Sequence, residues 1–86
     1  MNIGFYIDEM NYRGVANSTF QFALNNEKIL KNNSIIFYEK NNRNSKKDVL
    51  KKFKKNFISV GVLNFKEIDK FKKRFSLDYI YMQKSG

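Results

Sequence analysis

The sequence predicts a doubly wound α/β fold whose parallel sheet runs in the order 3-2-1-4. Three observations predict it. Apolar runs of strand length alternate with segments whose apolar residues recur at helical spacing, giving β-α-β-α-β-α-β. The opening run, Met1-Asn-Ile-Gly-Phe-Tyr-Ile-Asp8, is apolar on successive residues, as a parallel strand covered on both faces requires. A loop containing Gly14 then leads it into a helix. Right-handed crossovers would wind the second and third strands to one side of the first and return the fourth to the other.

Each element has its own signal. The first strand covers 2–8. The first helix is expected over 18–31, from Phe20, Ala23, Leu24, Ile29 and Leu30, with Asn17 or Ser18 as N-cap. Asn32-Asn33 reads as a helix stop and 34–38 as the second strand. Asn41-Asn-Arg-Asn44 is a polar loop. Ser45-Lys-Lys-Asp48 has the spacing of a capping box and launches a helix with the stripe Val49, Leu50, Phe53. The third strand is 57–62. Asn64 with Glu67 is a second cap, opening a helix with Ile68, Phe71 and Phe75 on one side. The fourth strand is 77–82. No helix-forming segment follows it, so residues 1–86 are expected to be one partial domain, the N-terminal piece of a longer two-domain protein.

Composition narrows the chemistry. The chain has no cysteine and no histidine, which excludes disulfides, thiolate metal sites, histidine bases and a Ser-His-Asp triad. Dinucleotide (Gly-x-Gly-x-x-Gly), P-loop and Gly-x-Ser-x-Gly motifs are absent. No cofactor and no metal are expected. No apolar run reaches the ~20 residues of a membrane span and no secretory leader opens the chain, so a cytoplasmic protein is expected. The net charge of +9 comes from seventeen basic residues, of which only Arg13, Arg43 and Arg74 are arginine. Nucleic-acid readers favour arginine, and the excess of Lys, Asn, Ile and Phe matches A/T-rich codons, so the charge reads chiefly as compositional. It is uneven: between Lys40 and Lys55 eight basic residues face a single acid, Asp48.

The strand Met1–Asp8, the loop with Arg13-Gly14-Val15 and the helix after it resemble the start of nucleotide-sugar glycosyltransferases of the GT-B, family-4-like type, which have two Rossmann-like domains. The run Leu77-Asp-Tyr-Ile-Tyr-Met-Gln-Lys-Ser-Gly86 is similar to the family's Asp-(Val/Ile)-(Ile/Val) strand, whose next loop lines the acceptor cleft. Arg13-Gly14 stands where the family carries a glycine pair, and the family's usual N-domain histidine has no counterpart here. The resemblance implies a glycosyltransferase fragment that forms acceptor-side cleft walls, with a nucleotide sugar and a glycan or lipid-linked acceptor as partners. It places donor-gripping glutamates in a second domain, so this fragment alone is expected to be inactive.

The candidate substrate-binding residues are Asp8, Arg13, Gly14, Asn17 and Ser18; no catalytic residue is assigned. Each has a plain structural reading beside the functional one. Gly14 permits a positive φ or a close backbone approach to phosphate or sugar. Arg13 is a solvated cation or a diphosphate partner. Asp8 is a loop acceptor or a ligand group at the strand's carboxyl end. Asn17 and Ser18 are caps or phosphate contacts. Tyr79 and Tyr81 read as strand packing rather than sugar stacking. Lys46, Lys47, Lys51, Lys52, Lys54 and Lys55 form a solvated helix face or a peripheral contact with anionic membrane at its inner surface. Two alternatives stand beside the glycosyltransferase: a non-catalytic basic module binding nucleic acid, which predicts exposed aromatics among the lysines, and a purely structural Rossmann-like subdomain.

Overall fold

The structure, a computed structural model, describes residues 1–11 and 14–82. The elements are β1 (Asn2–Ile7), α1 (Gly14–Lys28), β2 (Asn33–Glu39), α2 (Lys47–Asn56), β3 (Ile58–Val62), a 3-10 turn (Phe65–Ile68) running into the short helix α3 (Asp69–Lys72), and β4 (Tyr79–Met82). The four strands form one parallel sheet in the order β3-β2-β1-β4, the expected Rossmann-like arrangement with β1 inside.

Alternation along β1 divides the core. Phe5 and Ile7, with Ile36 of β2, pack under α1 and α2 against Ala16, Phe20, Ala23, Val49, Phe53 and Phe57. Tyr6 and Phe37 face the other way, against Ile68 and the half-buried Phe71 and Phe75. Helices on both faces explain why β1 and β2 are apolar at consecutive positions. Gly4 sits at a close approach: a Cβ there would lie 3.1 Å from Cε2 of Phe37. Between the C-terminal end of α1 and the start of β2, Asn26 Nδ2 donates to Ser34 Oγ (2.9 Å), which donates to the Ala23 carbonyl (2.9 Å). These bonds satisfy polar groups that burial would otherwise penalise.

Several boundaries differ from expectation, each for a visible reason. Helix α1 begins at Gly14, so Asn17 and Ser18 lie inside its first turns and are not caps. It ends at Lys28; Lys31 turns the chain through φ +59°, and Ile29 and Leu30 are left exposed rather than on the buried stripe. Ser45 does not cap α2. Its Oγ accepts the Met10 N–H (2.9 Å), and the helix starts at Lys47 with Lys46 as an N-cap that makes no side-chain bond. Asn64 does cap, its Oδ1 accepting the Glu67 N–H (3.2 Å), but the segment it opens is a 3-10 turn and one α-turn, not a long helix. The chain then reverses through Ser76 at φ +50° into β4, which starts at Tyr79.

Candidate functional site

In a parallel sheet that winds both ways, the crevice outside the strands' carboxyl ends at the switch of winding is the natural ligand position. Here that switch lies at β1, between β2 and β4. The loop after β1 is firmly held. Asp8 Oδ1 accepts the Glu9 N–H (2.9 Å), and the Asp8 carbonyl accepts Nδ2 of Asn42 from the β2–α2 loop (2.8 Å). Met10 is buried beneath α1 and α2. Its N–H donates to Ser45, and its carbonyl accepts the Lys46 N–H (2.5 Å). Asn42 in turn accepts the Asn44 N–H through Oδ1 (2.8 Å). The two loops at the carboxyl edge are thus tied together by three bonds, which sets the position of the backbone that precedes α1.

Gly14 is exposed at φ +24°, and nothing lies within 4 Å of where its Cβ would be. The turn therefore needs glycine for conformation, and the space above it is open. The first turn of α1 carries no acidic residue, so no carboxylate within that turn offsets the positive end of the helix dipole. Asn17 is exposed and Ser18 half-buried in that turn. Arg13 lies outside the described residues. Of the expected site residues, the structure therefore sets Asp8 on the β1 edge, and Gly14, Asn17 and Ser18 at the opening of α1. On the β2–α2 side the edge is rimmed by the exposed cations Lys40, Arg43, Lys46 and Lys47. Among the described residues no three acids gather into a metal-binding cluster.

Sequence reasoning missed Asn42 and Ser45 as loop ties, because their partners lie 34 and 35 residues away. It also missed a pair on the opposite sheet face. The Tyr6 hydroxyl donates to the Glu39 carboxylate across β1 and β2, with Phe65 edge-on to the Tyr6 ring at 5.2 Å. Burial, then the bond to Glu39 and the negative charges of Glu39 and Asp8, push the Tyr6 phenol well above its ordinary range. A phenol held this strongly protonated positions Glu39 and cannot serve as a base at neutral pH.

Folded Tyr6 keeps its proton more tightly than the unfolded chain, so its contribution is complete below pH about 10 and is lost as pH rises beyond that. Tyr6→Phe is expected to cost about 1–2 kcal/mol at neutral pH, because Glu39 loses its donor. The gap to wild type should narrow at alkaline pH; urea melts at neutral pH and near pH 10.5 measure it, and a gap that stays constant would contradict the linkage.

The aromatics divide by environment. Phe53 and Phe57 are buried, while the α2 lysines and the other cations from Lys40 to Lys55 are exposed. Lys52 is more than a solvated cation, since its Nζ lies 4.3 Å from the centroid of the Phe20 ring. Tyr81 packs on Phe5 and Phe22, at 5.7 and 5.5 Å between centroids, as strand packing predicts, whereas Tyr79 is largely exposed. Among the described residues no helix is long and apolar enough to cross a membrane. Comparison with protein-family models, curated proteins and solved structures found no match for this chain.

Proposed function

We propose that this chain forms the acceptor-side wall of a nucleotide-sugar glycosyltransferase, with its ligand at the carboxyl edge of β1. The single observation that supports this most is the unit β1–Gly14–α1. It combines an inner strand, a glycine at positive φ beneath open space, and a helix opening without a carboxylate in its first turn. Such a unit favours an anionic group, as on a phosphorylated or lipid-linked acceptor or a departing nucleoside diphosphate. Asn17 and Ser18 would supply hydrogen bonds there, Arg13 and the rim cations Lys40, Arg43 and Lys46 charge, and Asp8 a hydroxyl acceptor. The resemblance of Met1–Val15 and Leu77–Met82 to family-4-like enzymes gives the reaction class. Donor-gripping glutamates of that family have no counterpart in these residues, so the chain is expected to bind without turning over. Docking of the α2 lysines on anionic membrane would suit a lipid-linked acceptor.

Titration with a nucleoside diphosphate and with a sugar phosphate, followed by calorimetry or NMR, tests the reading. Binding near ~1 mM that weakens with salt is expected from a few phosphate contacts. No binding of either compound would contradict it. The nucleic-acid alternative is disfavoured by the burial of Phe53 and Phe57, which leaves no stacking aromatic on the α2 stripe. DNA or RNA is accordingly expected to bind no tighter than ~10⁻⁶ M at physiological salt. Nanomolar, sequence-selective binding would reverse the ranking.

A further inference from the structure

One side-chain amide joins the two loops of the carboxyl edge and uses both of its ends. Asn42 Nδ2 donates to the Asp8 carbonyl at the end of β1 (2.8 Å), while Asn42 Oδ1 accepts the Asn44 N–H (2.8 Å). The Asn42 carbonyl accepts the Ser45 N–H (3.3 Å), closing a turn with Arg43 and Asn44 at its centre. Just past the turn, Ser45 Oγ accepts the Met10 N–H and the Lys46 N–H donates to the Met10 carbonyl (2.9 and 2.5 Å). Met10 is buried and shortly precedes Gly14, so the turn is fastened to the segment that opens α1. Asn42 and Ser45 are half-buried in these ties, whereas Arg43 and Lys46 between and beside them are exposed.

Chain reversal alone needs less than this. The Oδ1 bond to the N–H two residues on is one that Asp could make equally well. The tie to the Asp8 carbonyl also demands a donor, which Asp lacks and Asn has. The cations of the amino edge sit differently. Lys54 and Lys55 line a groove there with Ile58 and Ser59, at the C-terminal end of α2, where the helix dipole favours the lysines and disfavours an anion. At the carboxyl edge the fastened cations share their side of the sheet with the positive end of α1.

On the reading that an anion lies at the opening of α1, we propose that Asn42 and Ser45 are positioning residues for it. They hold the turn so that Arg43 and Lys46 act on a phosphate-bearing ligand at that point. An arginine on a loose loop must order backbone and side chain together when it binds; on a fastened turn only the side chain remains to be ordered. The net charge of +9 draws anions to the surface at large and is screened by salt, whereas a fixed guanidinium makes charge-assisted bonds at one place.

A double-mutant cycle tests it, with the full chain titrated by NMR with a nucleoside diphosphate at ~0.15 M salt. Arg43→Ala should weaken binding ~5-fold in the wild-type background, but less than ~2-fold once Asn42→Ala or Ser45→Ala has released the turn. Each release alone should also weaken binding ~5-fold. Lys73→Ala, which removes an exposed cation beyond α3, gives the effect of charge alone. A merely structural role would lower stability without cancelling the Arg43→Ala loss. Amide spectra show which variants are folded, and if Asn42→Ala is not, the Ser45→Ala cycle decides alone. Full additivity in folded variants would overturn the proposal and leave the anion site standing. So would an Arg43→Ala loss no larger than that of Lys73→Ala. A wild type that binds no nucleoside diphosphate would overturn both the proposal and the site.

Discussion

Phe37→Ala is expected to remove most of the folding free energy. Phe37 is fully buried at the centre of the α3-side core, with Phe71 and Phe75 at 5.8 and 6.2 Å between ring centroids. Truncating a buried Phe costs about 3–5 kcal/mol, and a domain of this size holds only about 4–13 kcal/mol in all. The short 3-10 turn and α3 cannot collapse into the gap, because they are tied by the Asn64 cap at one end and by Asn2 Nδ2 to the Phe75 carbonyl (2.8 Å) at the other. Urea denaturation should show the midpoint falling by more than half or the transition vanishing. Lys51→Ala, on the exposed face of α2, should stay within about 0.5 kcal/mol of wild type. A Phe37→Ala loss below about 1 kcal/mol would mean that the α3 side is not a packed core.

The second large effect concerns Gly14 and separates conformation from access. At φ +24° any L side chain is strained, so both Gly14→Ala and Gly14→Val should lose about 1–2 kcal/mol of stability. The space above is open, so neither meets a neighbouring atom directly at Cβ. Only valine fills the approach to the opening of α1. Ligand affinity should therefore fall at least ~10-fold for Gly14→Val and much less for Gly14→Ala. Equal losses in the two variants would place the effect in the turn's conformation. Full binding by Gly14→Val would remove the loop from the site.

The sheet was legible in the sequence because parallel strands buried on both faces leave continuous apolar runs, and those runs alternate with amphipathic segments. The opening of α1 was not. Gly14-Val-Ala-Asn-Ser has no apolar periodicity, and a glycine next to Asn and Ser reads as a turn. Ile29 and Leu30 fit the helical spacing, yet the chain leaves the helix at Lys28, and Lys31 adopts the left-handed conformation that ends the stripe. Ser45 carries a good capping signature but is claimed by Met10, a competition that a local pattern cannot reveal. At the candidate site the residue types were readable, whereas the tie from Asn42 to the Asp8 carbonyl depends on the folded meeting of two loops.

A residue-resolved NMR titration of the chain with a nucleoside diphosphate tests the central claim, that the ligand lies at the carboxyl edge of β1. The expected result is backbone shift changes confined to 8–11, 14–18 and 40–46, saturating together and abolished in Gly14→Val. Changes centred on the amino-edge groove of Lys54–Ser59, or spread along the outer lysines of α2, would contradict it.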